Sequence, residues 1–111
     1  MWRAGERAAW EAYRRRGYRL VARNWRCTLG ELDLIVERDG LVVFCEVKAR
    51  ASSMLGAPYE AVTPEKQRKV RAVAEAFLVM RGSAGRYRFD VASVRLGGRG
   101  EAEVRVYEDA F

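Results

Sequence analysis

Histidine is absent from this chain of 111 residues, and cysteine occurs only twice, as Cys27 and Cys45. With no imidazole and no CxxC pair, a zinc site lacks ligands. Metal chemistry would fall to hard oxygen donors and to Mg²⁺, with Mn²⁺ as its substitute. The two cysteines read as reduced structural thiols. No apolar run approaches the ~18 residues of a membrane span, and the start, Met1-Trp2-Arg3-Ala4-Gly5-Glu6, has no signal-peptide core. These absences predict a cytoplasmic protein with no membrane partner. Repeats, low-complexity tracts and linkers are missing too, and the length suits a single domain over residues 1–111. Lysine is scarce: eighteen of the 21 basic residues are arginine. Against 15 acidic residues they leave a formal net charge of +6, which favours a polyanionic partner such as nucleic acid.

What is present is a clear succession of elements. Residues 4–16 have helical spacing and end at Gly17, where a left-handed residue often follows a helix. Tyr18–Arg26, Gly30–Arg38 and Leu41–Ala49 read as three strands, with Asp39-Gly40 as a two-residue hairpin turn between the last two. A connector from Arg50 to Val62 follows and could close over a substrate. Thr63 caps a second helix, with Pro64 at its first position and Gly82 after its end. Arg86–Leu96 and Glu101–Glu108 read as two more strands around Gly97-Gly98-Arg99-Gly100. The order α-β-β-β-α-β-β predicts an α/β fold, a mixed β-sheet flanked by helices.

The hairpin holds the candidate chemistry. With Asp39-Gly40 at the tip, Arg38 pairs with Leu41, which sets Asp33 opposite Glu46 and Glu31 opposite Lys48. On the other face, Leu32 meets Val47, Leu34 meets Cys45 and Val36 meets Val43. Opposed residues have Cβ atoms ~4.5–5.5 Å apart, and like charges there destabilise a sheet. Two facing carboxylates beside an apolar run need compensation. A divalent cation supplies it, as would a shared proton, or an ion network with Lys48 and nearby arginines. Each helix also carries one charge on its apolar stripe: Glu6 in line with Trp10 and Tyr13, and Lys66 in line with Val70, Val73 and Phe77. Both fit either snorkelling to a rim or a shared active-site edge. Arg14, Arg15, Arg16, Arg19, Arg23 and Arg26 interleave with Tyr18 and Trp25 as a candidate nucleic-acid-binding surface, to which Arg50, Lys69, Arg71, Arg86 and Arg88 add phosphate contacts. A solvated charged face, with Tyr18 and Trp25 in the core, accounts for the same pattern.

Asp33, followed thirteen residues later by Glu46-Val47-Lys48, resembles the signature of the restriction-endonuclease-like PD-(D/E)XK nucleases. The phrases Gly30-Glu31-Leu32-Asp33-Leu34-Ile35, Phe44-Cys45-Glu46-Val47-Lys48-Ala49-Arg50 and Arg88-Phe89-Asp90-Val91 resemble the YraN family of small bacterial proteins. The resemblance implies a restriction-endonuclease-like core and a Mg²⁺-dependent nuclease acting on nucleic acid, with DNA favoured and branched DNA included. It implies that Asp33, Glu46 and the Val47 carbonyl bind metal, and that Lys48 orients the attacking water and stabilises charge on the phosphate. Glu6 matches a first-helix acid that contributes to metal sites in similar nucleases. Lys66 falls where the similar Holliday junction resolvases place a functional residue. Leu32 stands where the signature often has proline, a position without chemistry. Asp90 matches a family position to which a structural strand-end role is assigned.

Three readings follow. The first is a nuclease with Asp33, Glu46, Lys48, Glu6 and Lys66 as catalytic residues and, by analogy, a homodimer. The second is a non-catalytic nucleic-acid-binding module on the same fold. The third is a protein-interaction subunit whose acids form a structural network.

Overall fold

The structure, a computed structural model, describes residues 1–51, 62–82 and 85–111. Seven elements form in the expected order: α1 (Ala4–Arg15), β1 (Arg19–Cys27), β2 (Gly30–Arg38), β3 (Leu41–Ala51), α2 (Pro64–Arg81), β4 (Arg86–Leu96) and β5 (Ala102–Tyr107). The local signals act as their chemistry dictates. Asp39 and Gly40 take φ of 50° and 78°, the two left-handed residues of a type I′ turn. The Thr63 hydroxyl accepts the Lys66 main-chain N–H at 3.2 Å. Gly82, at φ 74°, donates its N–H back to the Leu78 carbonyl and closes α2.

The five strands form one sheet in the order β1-β2-β3-β4-β5. Only β3 and β4 are parallel, which makes the sheet mixed, and α2 lies in the chain between them. This α/β arrangement is consistent with the expected restriction-endonuclease-like core. Each face carries its own core. Ala9, Tyr13 and Tyr18 pack with Leu34, Val36, Val43, Cys45, Ala92 and Val94 on the α1 face. Val70, Val73, Ala74 and Phe77 pack with Leu32, Ile35, Val42, Phe44 and Phe89 on the α2 face. Cys27 and Cys45 are both free thiols. Among the described residues, no helix is long and apolar enough to cross a membrane.

Two expectations need correction. Arg50 belongs to β3 rather than to a connector, because the parallel ladder continues through Arg50↔Arg95 and Ala51↔Leu96. Residues 52–61 of the expected substrate-closing connector lie outside the described residues. Asp90 is a structural residue, as expected, but sits in the middle of β4 rather than at its end. Fully buried, it accepts the Tyr13 hydroxyl at 2.7 Å and a two-point bond from Arg88 at 2.7 and 2.8 Å. Arg88 also donates to the Tyr18 hydroxyl at 3.2 Å. This network ties α1, the start of β1 and β4 together across the α1 face.

The entry of α1 is seated by close contact. A Cβ on Gly5 would stand 2.7 Å from the Ala49 Cβ on β3, so only glycine lets the helix lie this near the strand. At its other end, the Arg16 carbonyl accepts from Arg38 at 2.5 Å beside the hairpin tip. We expect Gly5→Ala to lower unfolding free energy by about 1–3 kcal/mol in urea denaturation, as overpacking does. Asp90→Ala, which strands Arg88, lowers it by about 3–5 kcal/mol. A Gly5→Ala change within about 0.5 kcal/mol of the parent would mean that α1 is not pinned there.

Candidate active site

The sheet is interrupted at one level by two polar residues. The β1–β2 register pairs Arg23 with Leu34 and Trp25 with Leu32, passing over Asn24 and Asp33 between them. Asn24 sits at φ 48°, a left-handed conformation that asparagine tolerates better than most residues. Side-chain alternation slips at this point: Leu34 and Val36 face α1, whereas Leu32 faces α2. The β2–β3 register follows the expected hairpin pairing from Arg38↔Leu41 to Leu34↔Cys45 and stops there. The expected rungs Asp33–Glu46, Leu32–Val47 and Glu31–Lys48 are therefore not part of the ladder. The Val47 N–H that the next rung would use goes instead to Asp33 Oδ2, at 2.9 Å.

Asp33 is thus turned out of the ladder, with its carboxyl near enough to that of Glu46 for the two charges to interact. Burial, then the Glu46 charge, push the Asp33 carboxyl up to about 7, while the Val47 N–H and the more distant Lys66 charge pull it down. Glu46 is buried, and its Oε2 is 3.2 Å from Lys66 Nζ. Lys66 lies in the first turn of α2, half-exposed, with its ammonium at the acid pair. Lys48 shares the α2 face with Glu46, since β3 alternates without a break along its ladder to β4. It carries no ion pair among the described residues.

Glu6 is buried on α1 beside Gly5. Its Oε2 accepts from Asn24 at 3.0 Å and from Arg3 at 3.2 Å, while Oε1 is buried with no partner. Asn24 also donates to Glu31 at 3.3 Å, and Arg26 binds Glu31 at 2.6 Å. Glu31 therefore belongs to this α1-side cluster and not to Lys48. Among the described residues, no three acidic or cysteine side chains gather closely enough to hold a metal ion. Glu6 is accordingly not joined to the Asp33–Glu46 pair, and the contact Val47 makes there is through its N–H.

The arginines expected to bind nucleic acid scatter. Arg14 is bound to Glu11 at 2.7 Å and Arg19 to Glu37, both toward the hairpin-tip end with exposed Arg15, away from the acid pair. Arg23 stacks over the Trp2 ring at 4.1 Å, and Arg26 is held by Glu31. Arg50 lies on β3, and Lys69 is exposed one turn after Lys66. Tyr18 and Trp25 meet Tyr13 and Phe77 edge-on in the two cores, so neither offers a face for stacking bases. Two residues of the site carried only faint sequence signals. Gly5 stands directly before Glu6 inside a helix, and Asn24 is a turn-prone residue in the middle of a strand.

The family model described as "Uncharacterised protein family UPF0102" matches residues 5–94, which takes in every residue of this site. The chain belongs to the UPF0102 family. This agrees with its YraN-like motifs. A UPF0102 protein of Symbiobacterium thermophilum is 44% identical over 109 residues, covering 97% of this chain and 92% of the relative. One from Myxococcus xanthus is 46% identical over 99 residues, covering 88% and 77%. One from Caldicellulosiruptor saccharolyticus is 41% identical over 111 residues, covering 97% and 93%.

The acid pair makes stability depend on pH. Between pH 3.8, the ordinary aspartate value, and about 7, the folded chain holds a proton on Asp33 that the unfolded chain has lost. Stability from this group therefore falls as pH rises through that window and levels off above it. We expect Asp33→Asn to match the parent near the acid end and to exceed it by at least about 1 kcal/mol above neutrality. Urea midpoints measured across the window test this, and a difference that does not vary with pH would refute it.

Proposed function

We propose that this protein is a metal-dependent nuclease of the PD-(D/E)XK type, a cytoplasmic phosphodiesterase acting on nucleic acid and on DNA in preference. The observation that carries the reading is the Asp33–Glu46 pair: a half-buried carboxyl beside a buried one, where burial and the Glu46 charge push Asp33 up to about 7. Such a pair fits a divalent cation. The donors are hard oxygens, and the Lys66 ammonium at 3.2 Å from Glu46 marks a place where positive charge is already accepted. Asp33 and Glu46 would hold Mg²⁺ or Mn²⁺, with the Val47 carbonyl as a further candidate ligand. The bound ion would polarise the phosphodiester and lower the pKa of a water.

The chain's own groups supply the rest. Lys48, on the same face as Glu46 and without an ion pair among the described residues, adds positive charge where a phosphate would gain negative charge. Lys66 neutralises Glu46 and, through its charge, eases deprotonation of Asp33. The Val47 N–H fixes the orientation of the Asp33 carboxylate. Both helices begin at this end of the sheet, α1 with Gly5 against Ala49 and α2 with Lys66 at Glu46, so their positive dipole ends favour an anion here. Homodimerisation is part of the same reading, since a duplex presents two strands to cut.

One observation favours a second reading, a nucleic-acid-binding module without catalysis. Lys66 already neutralises Glu46, and no third carboxylate joins the pair among the described residues. A cleavage assay separates the two. Labelled single-stranded, duplex, flap and four-way DNA, and RNA, are incubated with Mg²⁺, Mn²⁺ or EDTA. The nuclease reading expects metal-dependent cutting that falls by at least about 100-fold in both Asp33→Asn and Lys48→Ala. No cutting by the parent on any substrate, with salt-sensitive binding retained, would leave the binding module instead.

A further inference from the structure

The basic residues divide by what they touch. Near the hairpin tip and along the β1 edge, arginines are tied to acids: Arg14 to Glu11, Arg19 and Arg81 to Glu37, Arg26 to Glu31. A different set lies on the α2 face of β3, β4 and β5. The parallel register places Lys48 beside Ser93 and Arg50 beside Arg95, and the next ladder places Ser93 beside Arg105 and Arg95 beside Glu103. All six share one face, because Ala92, Val94, Val104 and Val106, the residues between them, pack toward α1. Arg50, Ser93, Arg95, Glu103 and Arg105 line a single depression there.

No described helix covers this half of the sheet. The packing of α2 is against β2 and β1, while α1 covers β4 and β5 from the opposite side. Lys48, Arg95 and Arg105 carry no ion pair among the described residues. With strands ~4.8 Å apart and a rise of ~3.3 Å per residue, the patch is about 10 Å wide and about 7 Å long. Among the described residues it holds Lys48, Arg50, Arg95 and Arg105, Arg50 with a further partner, beside the acid Glu103. It also runs straight into the acid pair, because Glu46 precedes Lys48 on the same face of β3.

We infer that this face of β3–β4–β5 is the nucleic-acid interface, on which Lys48, Arg50, Arg95 and Arg105 bind backbone phosphates and lead the chain to Asp33 and Glu46. The inference rests on the nucleic-acid partner proposed above and places its binding surface, in exchange for the arginines at the C-terminal end of α1. The occupant is a polyanion because charge complementarity requires one. A phosphodiester chain fits because its charges repeat, and so can meet several cations and the acid pair at once. Contacts of this kind position a backbone and do not read sequence, so binding is insensitive to base sequence.

The test uses Asp33→Asn protein, to keep the ligand uncut, and fluorescence anisotropy with labelled duplex DNA across a salt series. Changing Arg95 and Arg105 together to glutamine is expected to make the slope of log affinity against log salt shallower by about 1.8, near 0.9 per lost phosphate contact. Changing Arg14 and Arg15 to glutamine is expected to leave the slope as it was. An unchanged slope in the Arg95/Arg105 variant, or an equal drop in the Arg14/Arg15 variant, overturns the inference while leaving the nuclease reading intact. Parent protein with no salt-sensitive DNA binding overturns it together with the nucleic-acid partner. Loss of slope at Arg95 and Arg105 in a protein that cuts nothing supports this surface and removes only the nuclease reading. Far-UV circular dichroism and urea midpoints matching the parent confirm that these substitutions leave the fold in place.

Discussion

A carboxylate taken out of water must find a donor, a proton or a cation, and the local shape of the sheet around Asp33 answers that demand. Asp33 faces Asn24 across β1–β2, and neither residue joins the ladder. In leaving it, Asp33 takes the Val47 N–H as a donor and comes to face the Glu46 charge, while Glu46 takes Lys66 as its counter-charge. The site follows from an interruption in regular structure. An unbroken strand would have kept Leu32 on the α1 face and spent the Val47 N–H on a routine rung.

The interruption is tolerated because the surroundings are held firmly. On the α1 face, the Tyr13–Asp90–Arg88–Tyr18 network joins helix, first strand and fourth strand around a fully buried acid. Gly5 permits the start of α1 to lie on Ala49, which carries Glu6 to Asn24. On the α2 face, the Thr63 cap sets the first turn from which Lys66 reaches Glu46. Two acids thus take opposite roles. Asp90 accepts from the Tyr13 hydroxyl, the Arg88 guanidinium and the Asp109 main-chain N–H, so it is structural. Asp33 is short of donors, so it is poised for an added cation or proton.

The distribution of arginine follows the same electrostatic logic. Where acids are near, the guanidinium groups pair with them or stack on aromatic rings, as Arg23 does on Trp2. Where no described helix covers the sheet, Arg50, Arg95 and Arg105 stand around Ser93 with Glu103 on the same face. The net charge of the chain is therefore not spread evenly over function. Composition registers the total, and only the register of β3, β4 and β5 reveals the patch beside the acid pair.

Much of the architecture was legible in the sequence because its signals are local. Asp39-Gly40 requires left-handed backbone, Thr63-Pro64 and Gly82 bracket a helix, and alternating apolar residues demand a sheet covered on both faces. The motif Asp33…Glu46-Val47-Lys48 could likewise be read from a two-residue turn and a period of two. Other features lay beyond such reasoning. The slip at Asn24 and Asp33 depends on a third strand and on a donor from Val47. The position of Glu6 depends on how closely Gly5 meets Ala49, and the Arg95–Arg105 cluster on a parallel pairing between strands far apart in the chain. Backbone preference and periodicity settle the elements, their order and the residue types of the site from the amino acids alone. Which charges are neutralised and which face one another depends on folding, because burial and pairing are properties of neighbours that the folded chain brings together.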